Sequence, residues 1–207
     1  MMPPTRELSE DGFEIQLATN YLGHFLLFYL LKDTMLASST PEFNSRLVNV
    51  SSSAHNVAKI QFDDINLEAE GAYQPPTSYG QSKLAQIYMA NYVDRIFGPQ
   101  GLHATSLMPG GIRTNLQQYV SEEEKAAWDK NEVVMNFMKS PAQGAATTLV
   151  AAVAKEWEGK GGKYLEDCQV AKFEPLVPFT KGVVEWAYDE ENEDRMWALT
   201  LNLLGLQ

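Results

Sequence analysis

The sequence is poor in the residues that form disulfides and transition-metal sites. It has one cysteine, Cys168, and three histidines, which lie far apart at positions 24, 55 and 103. A single cysteine cannot form an internal disulfide, and histidines so scattered do not have the spacing of zinc ligands. We therefore expect no metal site and a reducing, cytoplasmic location.

Long apolar runs and an excess of basic residues are also missing. The most apolar run, Tyr21–Leu31, contains a histidine and is shorter than the roughly 20 residues that span a bilayer. No positively charged segment with a small-residue cleavage site precedes it. The net charge of −11 would repel a phosphate backbone. We expect neither a membrane anchor, nor a signal peptide, nor a nucleic-acid partner.

The chain has the length and composition of one globular domain. It contains 207 residues, of which 44% are hydrophobic and 21% charged, so we predict a single domain over residues 1–207. Apolar periodicity alternates between short strands and longer helices, which is typical of a mainly parallel α/β sheet. The predicted strands are Arg46–Ser51, Leu102–Leu107 and Lys163–Leu165, and the predicted helices are Ser9–Ala37, Thr77–Phe97, Ser121–Lys139, Pro141–Lys155 and Glu193–Leu204.

The start of the first predicted helix depends on a capping argument. Ser9 is a residue type that caps helices, and Glu10 and Asp11 after it would interact favourably with the helix dipole. We therefore place the helix start at Ser9.

Tyr79 and Lys83 are four residues apart and share one face of the second long helix. A cation about 4 Å from a phenolate contributes about 4 kcal/mol at an effective dielectric near 20. We expect Lys83 to lower the pKa of Tyr79, which would make the phenol a general acid or base near neutral pH. Alone, this spacing is a weak signal, and a solvated helix face is the other interpretation.

A serine at the end of the best strand strengthens the prediction. Ser52 lies just past the predicted strand Arg46–Ser51, and parallel sheets place their sites at the carboxyl ends of strands. Its hydroxyl could hold a substrate oxygen beside Tyr79. The neighbouring Ser51 and Ser53 remain alternatives, since any of the three could occupy this position.

These motifs together resemble the short-chain dehydrogenase/reductases. The resemblance is carried in the family's order by Asn20–Phe25, Leu47–Ser52, Tyr79–Lys83 and Pro109–Gly110. Gly23–Phe25, the long spacer between Ser52 and Tyr79, and Met196–Leu199 look most like the retinol-dehydrogenase branch. The resemblance implies an incomplete Rossmann-like, doubly wound and mainly parallel sheet with flanking helices.

The resemblance also implies roles for particular residues. Tyr79 would be the catalytic acid or base, Lys83 would bind the nicotinamide ribose, Ser52 would position the reacting oxygen, and Asn20 would hold a relay water. Gly110, Ile112 and Thr114 would border the nicotinamide and phosphate end of NAD or NADP. The implied reaction is hydride transfer between this cofactor and a small-molecule alcohol or carbonyl substrate.

The glycine loop that binds the cofactor pyrophosphate in this family is not in the sequence. That loop lets backbone amides approach the phosphates, so we expect weak cofactor binding and doubtful activity for this truncated chain. An unpaired sheet edge would favour a homo-oligomer. The alternative hypothesis is a shortened, non-catalytic paralogue that acts by binding another protein.

Overall fold

The computed structural model describes residues 2–174 and 181–206 of the chain. Within them one four-stranded sheet follows chain order. Its strands are β1 (Ser45–Val50), β2 (Leu102–Met108), β3 (Lys163–Glu166) and β4 (Gln169–Val170). The first three are parallel and β4 runs antiparallel to β3. The predicted α/β class with an incomplete, mainly parallel sheet is confirmed.

The last strand was not predicted from the sequence. Asp167 and Cys168 connect β3 to β4, and both have positive φ angles, 48° and 62°. Two consecutive residues with positive φ are typical of a tight hairpin turn, which usually contains Asn-Gly or Asp-Gly. The sequence did not indicate a hairpin here because cysteine is not a residue that favours this conformation.

The first long helix begins later than predicted and contains a wide turn. It consists of α1 (Ile15–Leu17), a π-helical turn (Ala18–Leu22) and α2 (Gly23–Ser38). The prediction that Ser9 starts this helix is wrong. The Ser9 hydroxyl does accept from the Phe13 N–H at 3.2 Å, but Gly12 has a φ of +83°, which interrupts a right-handed helix.

Glu14 is the residue that caps the helix instead. Its fully buried carboxylate accepts hydrogen bonds from the backbone N–H groups of Gln16 and Leu17. A carboxylate at a helix N-terminus satisfies free N–H groups and interacts favourably with the helix dipole.

The central helix, α3 (Pro75–Phe97), begins two residues before the predicted start. Proline at the first position is favourable because its missing N–H would have no helical partner there. α3 packs against β1 and β2 on one side of the sheet, together with α2 and the last helix, α7 (Glu190–Leu203). Its buried face includes the polar residues Ser78, Gln81 and Ser82.

The opposite side of the sheet is covered by α6 (Pro141–Val153), which packs against Leu107 and Leu165. The single helix predicted over Ser121–Lys139 is in fact two short helices, α4 (Glu122–Trp128) and α5 (Glu132–Phe137). The Asn131 side chain between them accepts from the N–H groups of Val133 and Val134. Capping of a new helix at this point ends the preceding one.

β1 is the outer strand of the sheet in the described part of the chain. Large apolar residues on both flanking helices are exposed near this edge: Leu27 at 57% and Leu31 at 45% on α2, and Leu149 at 60% and Val153 at 64% on α6. Exposed apolar side chains on both helices that flank an edge strand suit contact with another chain. Over residues 2–174 and 181–206, no helix has both the length and the hydropathy needed to cross a membrane.

Candidate active site

The serine turn after β1 forms one wall of the candidate site. Ser52 precedes a short 3-10 turn (Ser53–Asn56), and its Oγ accepts from the Ala54 N–H at 3.1 Å. Ser51 is buried, and its Oγ donates to the Lys83 carbonyl at 2.7 Å. The hydroxyl of Ser51 is therefore used to attach β1 to α3, whereas the side chain of Ser52 interacts with that of Tyr79.

A glycine allows this turn to lie directly against α3. A Cβ on Gly80 would be 2.6 Å from the Ala54 carbonyl oxygen and 3.3 Å from the Val57 Cβ. Any larger residue would push the serine turn away from the helix. Gly80 is therefore required for the approach of Ser52 to Tyr79, a role that the sequence analysis missed because a lone glycine in a helix has many possible explanations.

The pKa of Tyr79 is raised, which contradicts the predicted lowering. Burial of the phenol raises this pKa because it disfavours the charged phenolate, and the hydrogen bond with Ser52 offsets only part of this effect. Tyr79 is therefore a neutral phenol at pH 7, with a proton available to donate.

Lys83 lies against the ring of Tyr79 rather than at its hydroxyl. The Lys83 Nζ is 5.5 Å from the ring centroid and donates to the Val50 carbonyl at 3.1 Å. Burial lowers the pKa of Lys83 to about 8, so the side chain is mostly charged at neutral pH. Burial and Ser52, rather than Lys83, are the causes of the shift in the Tyr79 pKa.

Asn20 lies in the π-helical turn between α1 and α2, a kind of distortion that is frequent at functional sites. Its amide Nδ2 donates to the Ser82 Oγ at 2.9 Å. The backbone carbonyl oxygen of Asn20 accepts a hydrogen bond from the His24 Nδ1 at 2.8 Å and another from the Gln86 side chain. These contacts place Asn20 beside α3, one turn from Lys83.

All the predicted site residues line a single cavity of about 480 Å³. The structure brings together Asn20, Ser52, Tyr79, Lys83, Gly110, Ile112 and Thr114. Gly110 has a φ of +107°, and a Cβ there would be 2.5 Å from the Lys139 side chain. The turn after β2 therefore needs glycine, both for its backbone angle and for its close packing.

The rest of the cavity wall is largely apolar and was not predicted. Much of it comes from the segment after β2 that includes α4 and α5, whose lining residues include Leu116, Val120, Trp128, Val134, Phe137 and Met138. These residues form no recognisable motif. Only the folded chain places them over Tyr79.

Comparison with known proteins identifies the family. The chain is 53% identical over 197 residues to the short-chain dehydrogenase/reductase prx1 of Penicillium roqueforti, an alignment that covers 95% of this chain and 57% of that protein. This chain belongs to the short-chain dehydrogenase/reductases. Human polyprenol dehydrogenase is 34% identical over all of this chain, and human retinol dehydrogenase 14 is 36% identical over 96% of it. The predicted family, including its retinol-dehydrogenase-like branch, is confirmed.

The chain spans only part of the length of these relatives, 57% of prx1, 58% of polyprenol dehydrogenase and 54% of retinol dehydrogenase 14. A solved structure from Mycobacterium paratuberculosis, described as a putative uncharacterized protein, matches with a TM-score of 0.64 at 25% identity, over all of this chain and 65% of that one. The 4-hydroxyisoleucine dehydrogenase complexed with NADH and succinate shares the fold, with a TM-score of 0.52 over 78% of this chain at 21% identity. No family model matches the sequence.

The dehydrogenase/reductase site fits only one end of a dinucleotide. Lys83 and the Gly110 turn provide a cation and closely approachable backbone beside Tyr79, which suits a nicotinamide and its ribose. The glycine loop that would hold the pyrophosphate has no counterpart in the sequence. Among the described residues, no cluster of three or more His, Cys, Asp and Glu side chains could hold a metal ion.

Proposed function

We propose that this chain carries the catalytic part of an NAD(P)-dependent oxidoreductase that interconverts an alcohol and a carbonyl compound. One observation supports the proposal most strongly. Tyr79 and Ser52 line the same cavity and interact with each other, and Lys83 and Asn20 line that cavity too. The wider family is an oxidoreductase family, and the assignment of Asn20, Ser52, Tyr79 and Lys83 as its catalytic residues here is part of the proposal.

In the proposed reduction, Tyr79 donates its proton to the carbonyl oxygen of the substrate. Its raised pKa suits this direction because the phenol stays protonated at neutral pH. Ser52 orients the oxygen beside Tyr79 and donates a hydrogen bond to it as negative charge develops. The cofactor, NAD or NADP, would act here in its reduced form, NADH or NADPH, as the source of the hydride for the carbonyl carbon. Lys83 would bind the cofactor ribose, and Gly110, Ile112 and Thr114 would border the nicotinamide.

The substrate we propose has a large apolar body attached to its alcohol or carbonyl group. The cavity lining includes the polar side chains of Ser52, Tyr79 and Lys83, whereas Trp128 and Phe137 belong to a largely apolar wall. Apolar walls with a few polar groups orient a ligand by its polar end. The names of two relatives, polyprenol dehydrogenase and retinol dehydrogenase 14, also refer to apolar alcohols.

The remaining parts of the proposal concern the whole chain. We propose a single domain over residues 1–207, a cytoplasmic location, no nucleic-acid partner, and homo-oligomerisation. The net charge of −11 and the apolar surface beside β1 support the last two.

A second candidate function is binding to another protein without catalysis. The observation that favours it is the outer edge of β1, where Val50 is 43% exposed and Leu27 and Leu31 line a groove. Exposed strand edges readily pair with other chains. Cofactor-dependent turnover in the fusion described below distinguishes the two candidates, because only the oxidoreductase would show it.

A titration of the chain with NADH and NADPH is the first test. We expect no saturable binding in the micromolar range, because the sequence has no pyrophosphate loop. Micromolar affinity for either cofactor would contradict this expectation.

The second test joins this chain to the portion of the Penicillium roqueforti relative that it does not cover. We expect the fusion to reduce a long-chain aldehyde with NADH or NADPH. In the fusion, Tyr79→Phe should lower turnover by about a hundredfold or more, since general acid catalysis contributes 10²- to 10⁴-fold. Phe97→Tyr, which leaves the cavity unchanged, serves as a control. Turnover that survives Tyr79→Phe would show that the catalytic assignment is wrong.

A further inference from the structure

His55 belongs to the 3-10 turn that follows Ser52, and its side chain is fully buried. Its ring lies 4.8 Å from the ring of Tyr164, measured between centroids. Both ring nitrogens contact backbone groups: Nδ1 is 2.6 Å from the Ser52 carbonyl oxygen, and Nε2 is 3.4 Å from the Val184 nitrogen. The side chain therefore connects the turn after β1 with the segment that leads to α7.

These two partners determine the protonation of the ring. A carbonyl oxygen can only accept, so Nδ1 must carry a hydrogen. The Val184 N–H can only donate, so Nε2 must be without one. His55 is consequently a neutral imidazole in the Nδ1–H tautomer. Burial also favours the neutral form, because it lowers the pKa of His55 to about 4.

The contact with Ser52 is close to the candidate chemistry. The Ser52 carbonyl accepts both the His55 ring Nδ1–H and the His55 backbone N–H, the latter at 3.0 Å. Two donors on one carbonyl restrict rotation of the peptide that carries Ser52. The Ser52 side chain, in turn, lines the same cavity as Tyr79 and interacts with it.

We propose that His55 is a positioning residue that holds Ser52 in register with Tyr79 through the Nδ1–H to Ser52 carbonyl hydrogen bond. His55 contacts neither the substrate nor the cofactor in this proposal. It acts through the backbone of Ser52, so its contribution to a reaction rests on the proposed function, whereas its effect on the Ser52–Tyr79 pair does not.

Two matched substitutions separate the two contacts of the ring. In His55→Asn, the amide Nδ2 occupies the place of Nδ1 and can still donate to Ser52, but the contact with Val184 is lost. In His55→Gln, the longer side chain reaches the place of Nε2 and keeps an acceptor for Val184, but the Ser52 contact is lost. Both variants keep a polar, uncharged side chain of similar size.

The readout is the ¹³Cζ resonance of Tyr79 in the chain without cofactor, assigned by its disappearance in Tyr79→Phe. This resonance reports on the hydrogen bond of the phenol. We expect His55→Asn to leave it at the wild-type position and His55→Gln to shift it, even if both variants have a lower melting temperature. A wild-type resonance in His55→Gln, or equal shifts in both variants, would overturn the proposal.

The tautomer is tested independently in wild-type protein labelled with ¹⁵N-histidine, with His55 assigned from the His55→Asn variant. We expect the neutral Nδ1–H form from pH 8 down to pH 5. An Nε2–H form, or a charged ring at pH 6, would also contradict the proposal. Neither measurement depends on turnover, so the His55 proposal can fail while the proposed function stands. Conversely, full activity of the fusion with Tyr79→Phe would refute the proposed function and not the role of His55.

Discussion

The Ser52 turn and the outer edge of β1 meet at Val50. They differ in whether their hydroxyls, backbone and apolar side chains have partners within the chain. At the turn, the hydroxyls of Ser51 and Ser52 have partners within the chain, and Gly80 allows close packing. At the edge, Leu27 is 57% exposed and the strand has no further neighbour among the described residues. The described residues thus provide the contacts that shape the candidate catalytic corner, but not contacts that cover the outer edge of the sheet.

The largest expected difference between the two regions is in the stability cost of removing a leucine. Leu84→Ala on α3, where the side chain is fully buried, should lower the free energy of unfolding by about 2–5 kcal/mol. Leu27→Ala at the β1 edge should change it by no more than about 0.5 kcal/mol. Urea denaturation measures both. A large loss for Leu27→Ala would show that the edge is covered in solution, for example by a second copy of the chain.

Acid should lower the stability of the folded chain through the Ser52 turn, because His55 in that turn is buried as a neutral ring. The pKa of His55 is about 4 in the folded chain, against its ordinary value of 6.5. Below pH 6.5 the unfolded chain binds a proton that the folded chain does not bind until near pH 4. The free energy of unfolding should therefore be unaffected by His55 above pH 6.5 and fall by about 3 kcal/mol as the pH drops to 4.

His55→Asn isolates this contribution, because carboxylates titrate alike in both proteins. The difference between the denaturation free energies of wild type and variant should shrink steadily from pH 6.5 to 4. A difference that is constant over this range would mean that His55 is not buried as a neutral ring.

We expect a smaller loss of stability from a substitution that fills the space beside Gly80. Gly80→Ala places a methyl group 2.6 Å from the Ala54 carbonyl oxygen, and such overpacking costs about 1–3 kcal/mol. It should also shift the Tyr79 ¹³Cζ resonance, because the serine turn must move. Gly23→Ala is the matched control: its Cβ would approach no closer than 3.4 Å, and alanine favours the helix. Equal stability of the two variants would contradict the close packing at Gly80.

Much of the fold could be predicted because its elements have strong local patterns. The β1 and β2 strands and α3 lie within two residues of their predicted bounds. Predictions failed where a tertiary contact outweighed a local preference. Ser9 has the right chemistry to cap a helix, but Gly12 interrupts the chain and the buried Glu14 caps instead. The divided helix at Asn131 has a similar cause.

At the candidate site, too, the residues could be predicted from the sequence but their environment could not. Its residues were found by motif, and the structure places all of them around one cavity. The pKa of Tyr79 could not be predicted, because its direction depends on burial and on where the Lys83 ammonium lies. The spacing of two residues on a helix determines which face they share, but not whether they meet at the hydroxyl or at the ring.

By itself, the sequence determined the family, the parallel sheet and the residue types available at the site, because periodicity and short motifs are local properties of a chain. The tertiary structure decided which serine faces Tyr79, the charge state of the phenol, the apolar wall from α4 and α5, and the tautomer of His55. Each of these depends on burial or on a contact between residues distant in sequence, and neither quantity can be obtained from spacing alone.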